Sequence, residues 1–154
     1  IFVLKSDIFN IKSIVDKIRV SGKGVYIHVD LIEGLAKDAL ALKYIHENIN
    51  PDGIITTKTS LVRASKNLDI FVIQRFFVLD HLSLNTGIHS IESIKPNAVE
   101  ILPGIMPKVT KIFTNKTNVP VITGGLIMDK EDVMNSLKSG AIAISTSKEE
   151  IWDM

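Results

Sequence analysis

Short apolar runs alternate along this chain with segments whose apolar positions recur every three or four residues. The runs near residues 1–4, 25–30, 54–58, 70–73, 98–102, 120–125 and 141–145 read as strands. Most are nearly continuous in Val, Ile and Leu, which suits parallel strands buried on both faces. Between them, Ile11, Ile14, Val15 and Ile18, then Leu35, Ala39, Leu42, Ile45 and Ile49, keep helical spacing. So do Leu61, Val62 and Leu68; Leu84, Ile88, Ile91 and Ile94; Met106, Val109, Ile112 and Phe113; and Val133 with Leu137. Gly22, Gly24, the Asn50-Pro51-Asp52-Gly53 turn, Lys95-Pro96 and Gly140 stop these helices, Asp129 is an expected N-cap, and Pro107 fits a first turn. Residues 76–80 fit either a longer strand or a packed loop.

A strand–helix unit of roughly twenty to thirty residues, repeated along the whole chain, is the pattern of a parallel α/β fold. Seven such units are visible. The expected architecture is a (β/α)8 TIM-type barrel in one domain, residues 1–154, with its first strand upstream of Ile1 and its last helix abbreviated. An open doubly wound sheet is the alternative, without a Gly-rich turn after an early strand to support it.

Composition narrows the function classes. Eighteen Lys and Arg against 17 Asp and Glu leave a net charge of +1, so nucleic acid would have to be met by a local basic patch. There is no cysteine, which excludes disulfides, thiolate nucleophiles and Cys-bound zinc, and fits a cytoplasmic protein. No apolar run reaches membrane-spanning length, and the N-terminal run lacks the flanks of a signal peptide. Because the sequence starts at Ile1 and not at Met, preceding residues are expected.

The candidate chemistry sits at strand ends. Gly124-Gly125 and Ser145-Thr146 close two strands about twenty residues apart, and small residues there leave N–H groups free to converge on one anion, as after the last two strands of phosphate-binding barrels. By strand alternation Tyr26, His28 and Asp30 share one side, with Asp30 at the tip. Lys58 ends the third strand, and Gln74-Arg75 follow the apolar part of the fourth. Glu100 lies inside an apolar strand, where an unpaired carboxylate is costly; it is half of a structural pair or an acceptor for a ligand. No metal-ligand spacing is present.

Several stretches together resemble the GlpP family, the glycerol-uptake operon antiterminator regulatory proteins of bacteria. They are residues 28–35 (His28 to Leu35), 52–58 (Asp52 to Lys58), 73–77 (Ile73 to Phe77), 100–107 (Glu100 to Pro107), Gly124-Gly125-Leu126-Ile127 and Ser145-Thr146-Ser147. The resemblance runs along nearly the whole chain. It implies a TIM-type barrel that senses glycerol 3-phosphate as its effector and acts on leader mRNA, with no further cofactor. Ser6 and Thr123 depart from the pattern, standing where glycine and alanine are expected.

On that reading the phosphate rests on Gly124, Gly125, Ser145 and Thr146. Asp30 and Glu100 read the glycerol hydroxyls, and Lys58 or Arg75 balances the charge. Leader mRNA would meet either Lys108, Lys111 and Lys116 on one helix or Lys12, Lys17 and Arg19 on another, with a homodimer doubling the basic area. The competing reading is an enzyme acting on a small phosphorylated metabolite, an isomerase, aldolase or phosphodiesterase, using Lys58 as amine nucleophile or Asp30 and Glu100 as acid and base. No recognisable catalytic constellation supports it.

Overall fold

Each apolar run becomes a short strand and each amphipathic segment a helix in the computed structural model, which describes residues 1–153. The chain falls into two compact units, residues Ile1–Gln74 and Arg75–Met154. In the first, β1 (Phe2–Val3), α1 (Ile11–Val20), β3 (Tyr26–His28), α2 (Ala39–Tyr44), β5 (Gly53–Thr56) and α3 (Thr59–Asn67) alternate up to β6 (Val72–Phe77). A side pair, β2 (Ser6–Asp7) with β4 (Ile32–Glu33), is also parallel. In the second unit, α4 (His81–Ile94), β7 (Ala98–Leu102), α5 (Pro107–Lys116), β8 (Val121–Gly124), α6 (Lys130–Lys138) and β9 (Ala143–Ser145) follow.

The hydrogen-bonded strand order is β1-β3-β5-β6-β7-β8-β9. Spatial order equals chain order, with one helix in each crossover. A doubly wound sheet reverses its order at a switch point, so that alternative is excluded, and the fold is that of a TIM-type (β/α) barrel with seven of its strands among the described residues.

Local chemistry explains the element ends. Asp38, Asp80 and Asp129 each accept a hydrogen bond from the backbone N–H three residues on, and Ser83 completes a capping box with Asp80. The helix expected from Leu35 therefore begins at Ala39, after the Asp38 cap. It ends in one π turn, Ile45–Ile49, closed by Asn50 N–H, which donates to the Ile45 carbonyl at 2.7 Å. Strand β6 runs to Phe77, and the rest of the ambiguous stretch is a loop in which Val78 N–H donates to the Leu102 carbonyl at 2.8 Å.

The core of the second unit lies between its sheet and α4 and α5. Val99, Ile101 and Val121 from the strands pack on Leu84, Ile88, Ile91 and Phe113 from the helices. Burying apolar side chains of this size stabilises by about 1.5–3 kcal/mol each. Register places Thr123 beside Ile101 and Ile144, so it too belongs to the helix-facing side. Its Oγ1 is buried without a hydrogen-bond partner among the described residues. The Thr123 departure therefore falls behind the sheet, away from the side on which Gly124 lies.

Candidate functional site

In the second unit the alternation that buries Val99 and Ile101 against helices turns Glu100 to the opposite face of β7. Phe76 packs on Phe113 with ring centroids 6.3 Å apart, which sends Arg75, its neighbour on β6, to the same opposite face. There Arg75 Nε donates to Glu100 Oε2 at 2.6 Å. The pair is 7% and 1% exposed. Glu100 therefore has a protein partner, Arg75.

The pair leans toward the C-terminal end of the strands. Glu100 is level with Ile122 in register, yet its Oε1 reaches two residues further, to Gly124. A Cβ on Gly124 would lie 2.7 Å from that oxygen and 3.2 Å from both Cβ and O of Ser145, the residue opposite Gly124 on β9. Gly124 is thus glycine because Glu100 and Ser145 occupy the space of its side chain. Arg75 and Glu100, picked singly from the sequence, join the Gly124 and Ser145 pair in one contiguous group.

The loops beyond β8 and β9 are held together. Gly125 and Leu126 have φ of 74° and 61°, so the backbone turns through the left-handed region, which glycine enters at no steric cost. The Gly125 carbonyl accepts from Gly104 N–H at 3.0 Å, while its own N–H has no partner among the described residues. Thr146 Oγ1 donates to the Ile127 carbonyl at 3.4 Å and accepts from Lys148 N–H at 3.1 Å. Lys148 Nζ donates to the Met128 carbonyl at 2.7 Å. Trp152 Nε1 donates to the Thr146 carbonyl at 2.9 Å. Sequence reasoning did not find the Lys148 and Trp152 ties, since a lysine and a tryptophan in a terminal turn carry no signal of what they touch.

In the first unit Asp30 is occupied. Its carboxylate accepts from Thr56 Oγ1 at 2.7 Å, Thr57 N–H at 2.7 Å and Thr57 Oγ1 at 2.9 Å. Burial pushes its pKa up, but these hydrogen bonds, with a smaller contribution from His28, outweigh it and leave the carboxyl below its usual range. Asp30 does not continue the alternation of β3, which stops at His28; it sits in a 3-10 turn, Val29–Leu31, and ties that turn to the end of β5. Lys58 begins α3 with an exposed side chain, its N–H donating to Thr56 Oγ1 at 3.1 Å.

The two basic helices differ. Lys12 is paired with Asp16 at 2.5 Å, and Arg19 donates to the Asn50 carbonyl. Lys108, Lys111 and Lys116 on α5 are exposed and make no ion pair among the described residues. Among those residues there is also no cluster of three or more metal-ligating side chains and no helix long and apolar enough to cross a membrane.

Residues 1–152 match the family model of the glycerol-3-phosphate responsive antiterminator. The Escherichia coli (strain K12) protein YgcP is 38% identical over 154 residues, covering 100% of this chain and 81% of that protein. The solved glycerol uptake operon antiterminator regulatory protein of Listeria monocytogenes is 36% identical with a TM-score of 0.95, over 99% of this chain and 83% of that one. A glycerol uptake operon antiterminator-related protein from Thermotoga maritima is 35% identical with a TM-score of 0.91, over 99% and 87%. Solved enzymes at 16% identity share the fold alone. The chain belongs to the family of glycerol-3-phosphate responsive antiterminators.

Proposed function

We propose that this chain is a cytoplasmic glycerol 3-phosphate sensor that acts on leader mRNA and does not turn its ligand over. The phosphate is received where β8 and β9 end, by the Gly124-Gly125 turn, Ser145 and Thr146, with Arg75 beside them. The observation that carries this reading is the grouping of Arg75, Glu100, Gly124 and Ser145 on one face at those strand ends. Basic charge, left-handed turns and small residues at paired strand ends are what an oxyanion needs. Asp30 and Glu100, the carboxylates an acid–base enzyme would use, are both taken up by protein partners, which favours a binding role.

Leader mRNA is met by the α5 face, where Lys108, Lys111 and Lys116 have no acid to neutralise them among the described residues, and a homodimer would present that face twice. Aromatic side chains are 6% of the chain, so contact is to phosphates more than to stacked bases. The test is a pair of titrations. Glycerol 3-phosphate should raise the melting temperature and glycerol should not, because ligand bound to the native state stabilises it by mass action. Leader RNA should shift in a gel in a glycerol 3-phosphate-dependent way while a scrambled RNA does not. Equal thermal shifts from both compounds would remove the phosphate site from the account.

A further inference from the structure

Arg75 makes one hydrogen bond to protein, through Nε. Its Nη1 and Nη2 have no partner among the described residues, although the side chain is only 7% exposed. A guanidinium is a planar fork, and binding a carboxylate through Nε leaves the edge formed by the two Nη atoms for a second acceptor. That edge is not among the fully buried unpaired atoms, so it stays open to an acceptor from outside the protein while the rest of the side chain is enclosed. Glu100 is met through Nε alone among the described residues, and its other oxygen lies against Gly124.

We infer that Glu100 is a positioning residue for an oxyanion ligand: it holds Arg75 by Nε so that the Nη1–Nη2 edge grips the phosphate, and Gly124 has no side chain because the carboxylate that does the holding fills that place. This deepens, and rests on, the proposal that phosphate binds at the ends of β8 and β9. It changes the role of Glu100 from reader of the ligand's hydroxyls to orienter of an arginine. The edge suits oxyanions that accept two parallel N–H bonds from one arginine, phosphate among them.

The experiment titrates the full chain with glycerol 3-phosphate and, separately, with inorganic phosphate, following calorimetric heat. Fluorescence of Trp152, the single tryptophan, serves as a second signal because its Nε1 is bonded to Thr146. Glu100→Ala should weaken both ligands by the same factor, about tenfold or more, the scale of a lost charge-assisted bidentate contact. Glu100→Gln keeps an acceptor for Nε and should restore binding to within about threefold of the parent, since the arginine remains held. Gly124→Ala should weaken both ligands as Glu100→Ala does, by displacing the carboxylate without removing it; this variant keeps the test sound if Glu100→Ala does not fold. The Gly124→Ala and Glu100→Gln effects should not add, because both act through one side chain.

If either glutamate variant weakens glycerol 3-phosphate while inorganic phosphate binds as before, Glu100 reads the hydroxyls and the inference is overturned. It is overturned equally if folded Glu100→Ala and Gly124→Ala bind both ligands as the parent does. A Gly125→Val control separates the two levels. Unchanged binding in that variant removes the phosphate site itself, whereas lost binding there with normal binding in the Glu100 variants removes the positioning role alone.

Discussion

Each unit of this protein carries an enclosed carboxylate near its strand ends, Asp30 partly buried and Glu100 fully so, and the two are used differently. Asp30 is satisfied by neutral donors from two adjacent threonines, so the group is complete in itself and fastens one turn to the end of β5. Glu100 is satisfied by a cation that still has donors to give. A carboxylate closed off by hydroxyls and an amide organises backbone. A carboxylate closed off by an arginine organises a second charged group, and only that arrangement has chemistry left over for a ligand.

The comparison breaks most visibly if one partner of each group is removed. Glu100→Ala should cost about 3–5 kcal/mol, because Arg75 would be left buried with no counter-charge. Urea unfolding of the folded fraction measures this, and a loss no larger than that of an exposed ion pair would mean the pair is wetter than its 1% exposed glutamate implies. Asp30→Ala should cost less, about 1–3 kcal/mol, since it strands a buried Thr56 hydroxyl and the Thr57 N–H, both neutral. Equal losses from the two substitutions would erase the distinction between them.

Acid sharpens the same contrast. The folded-state pKa of Asp30 lies below its usual value, so its hydrogen bonds stabilise the protein fully above the unfolded pKa, about 3.9 for an aspartate, and that contribution is lost as pH falls through the lower folded value. Asp30→Asn should therefore be less stable than the parent by a constant amount above about pH 5, and the gap should shrink below about pH 4. Thermal melts across that range test it. A gap that grows toward low pH would reverse the assigned direction.

Much of this was legible in the sequence. Apolar runs and helical spacings of Val, Ile and Leu located the crossovers, because a strand buried on both faces and a helix buried on one leave different periods. Asp129 and Pro107 marked helix starts by chemistry local to a few residues. The Gly124-Gly125 and Ser145-Thr146 pair was legible for the same reason. What the sequence did not show was partnership: Arg75 and Glu100 are 25 residues apart, and no local rule says that one neutralises the other. Asp30 illustrates a second limit, since its alternation with His28 was a strand property and the strand ends at His28. The turn that follows re-aims the side chain, and only its threonine partners reveal where.

A similar contrast, between engaged and unengaged charges, separates Lys12 and Arg19 of α1 from the α5 lysines and gives the smallest expected effect. Lys17 of α1 is also exposed and unpaired among the described residues. On α1, Lys12 and Arg19 already have protein partners, and moving them to RNA phosphates would break contacts in exchange. On α5, Lys108, Lys111 and Lys116 have none among the described residues, so each can displace a counterion from a phosphate without losing anything. Replacing one of them by glutamine should weaken leader RNA binding modestly and lower the slope of log affinity against log salt by roughly one. All three together should lower it by roughly three, while Lys12→Gln should leave it unchanged. The slopes come from gel shifts at several salt concentrations with glycerol 3-phosphate present. Should Lys12→Gln flatten the slope while the α5 variants do not, the RNA face belongs to α1, and an existing ion pair is no bar to phosphate contact in this protein.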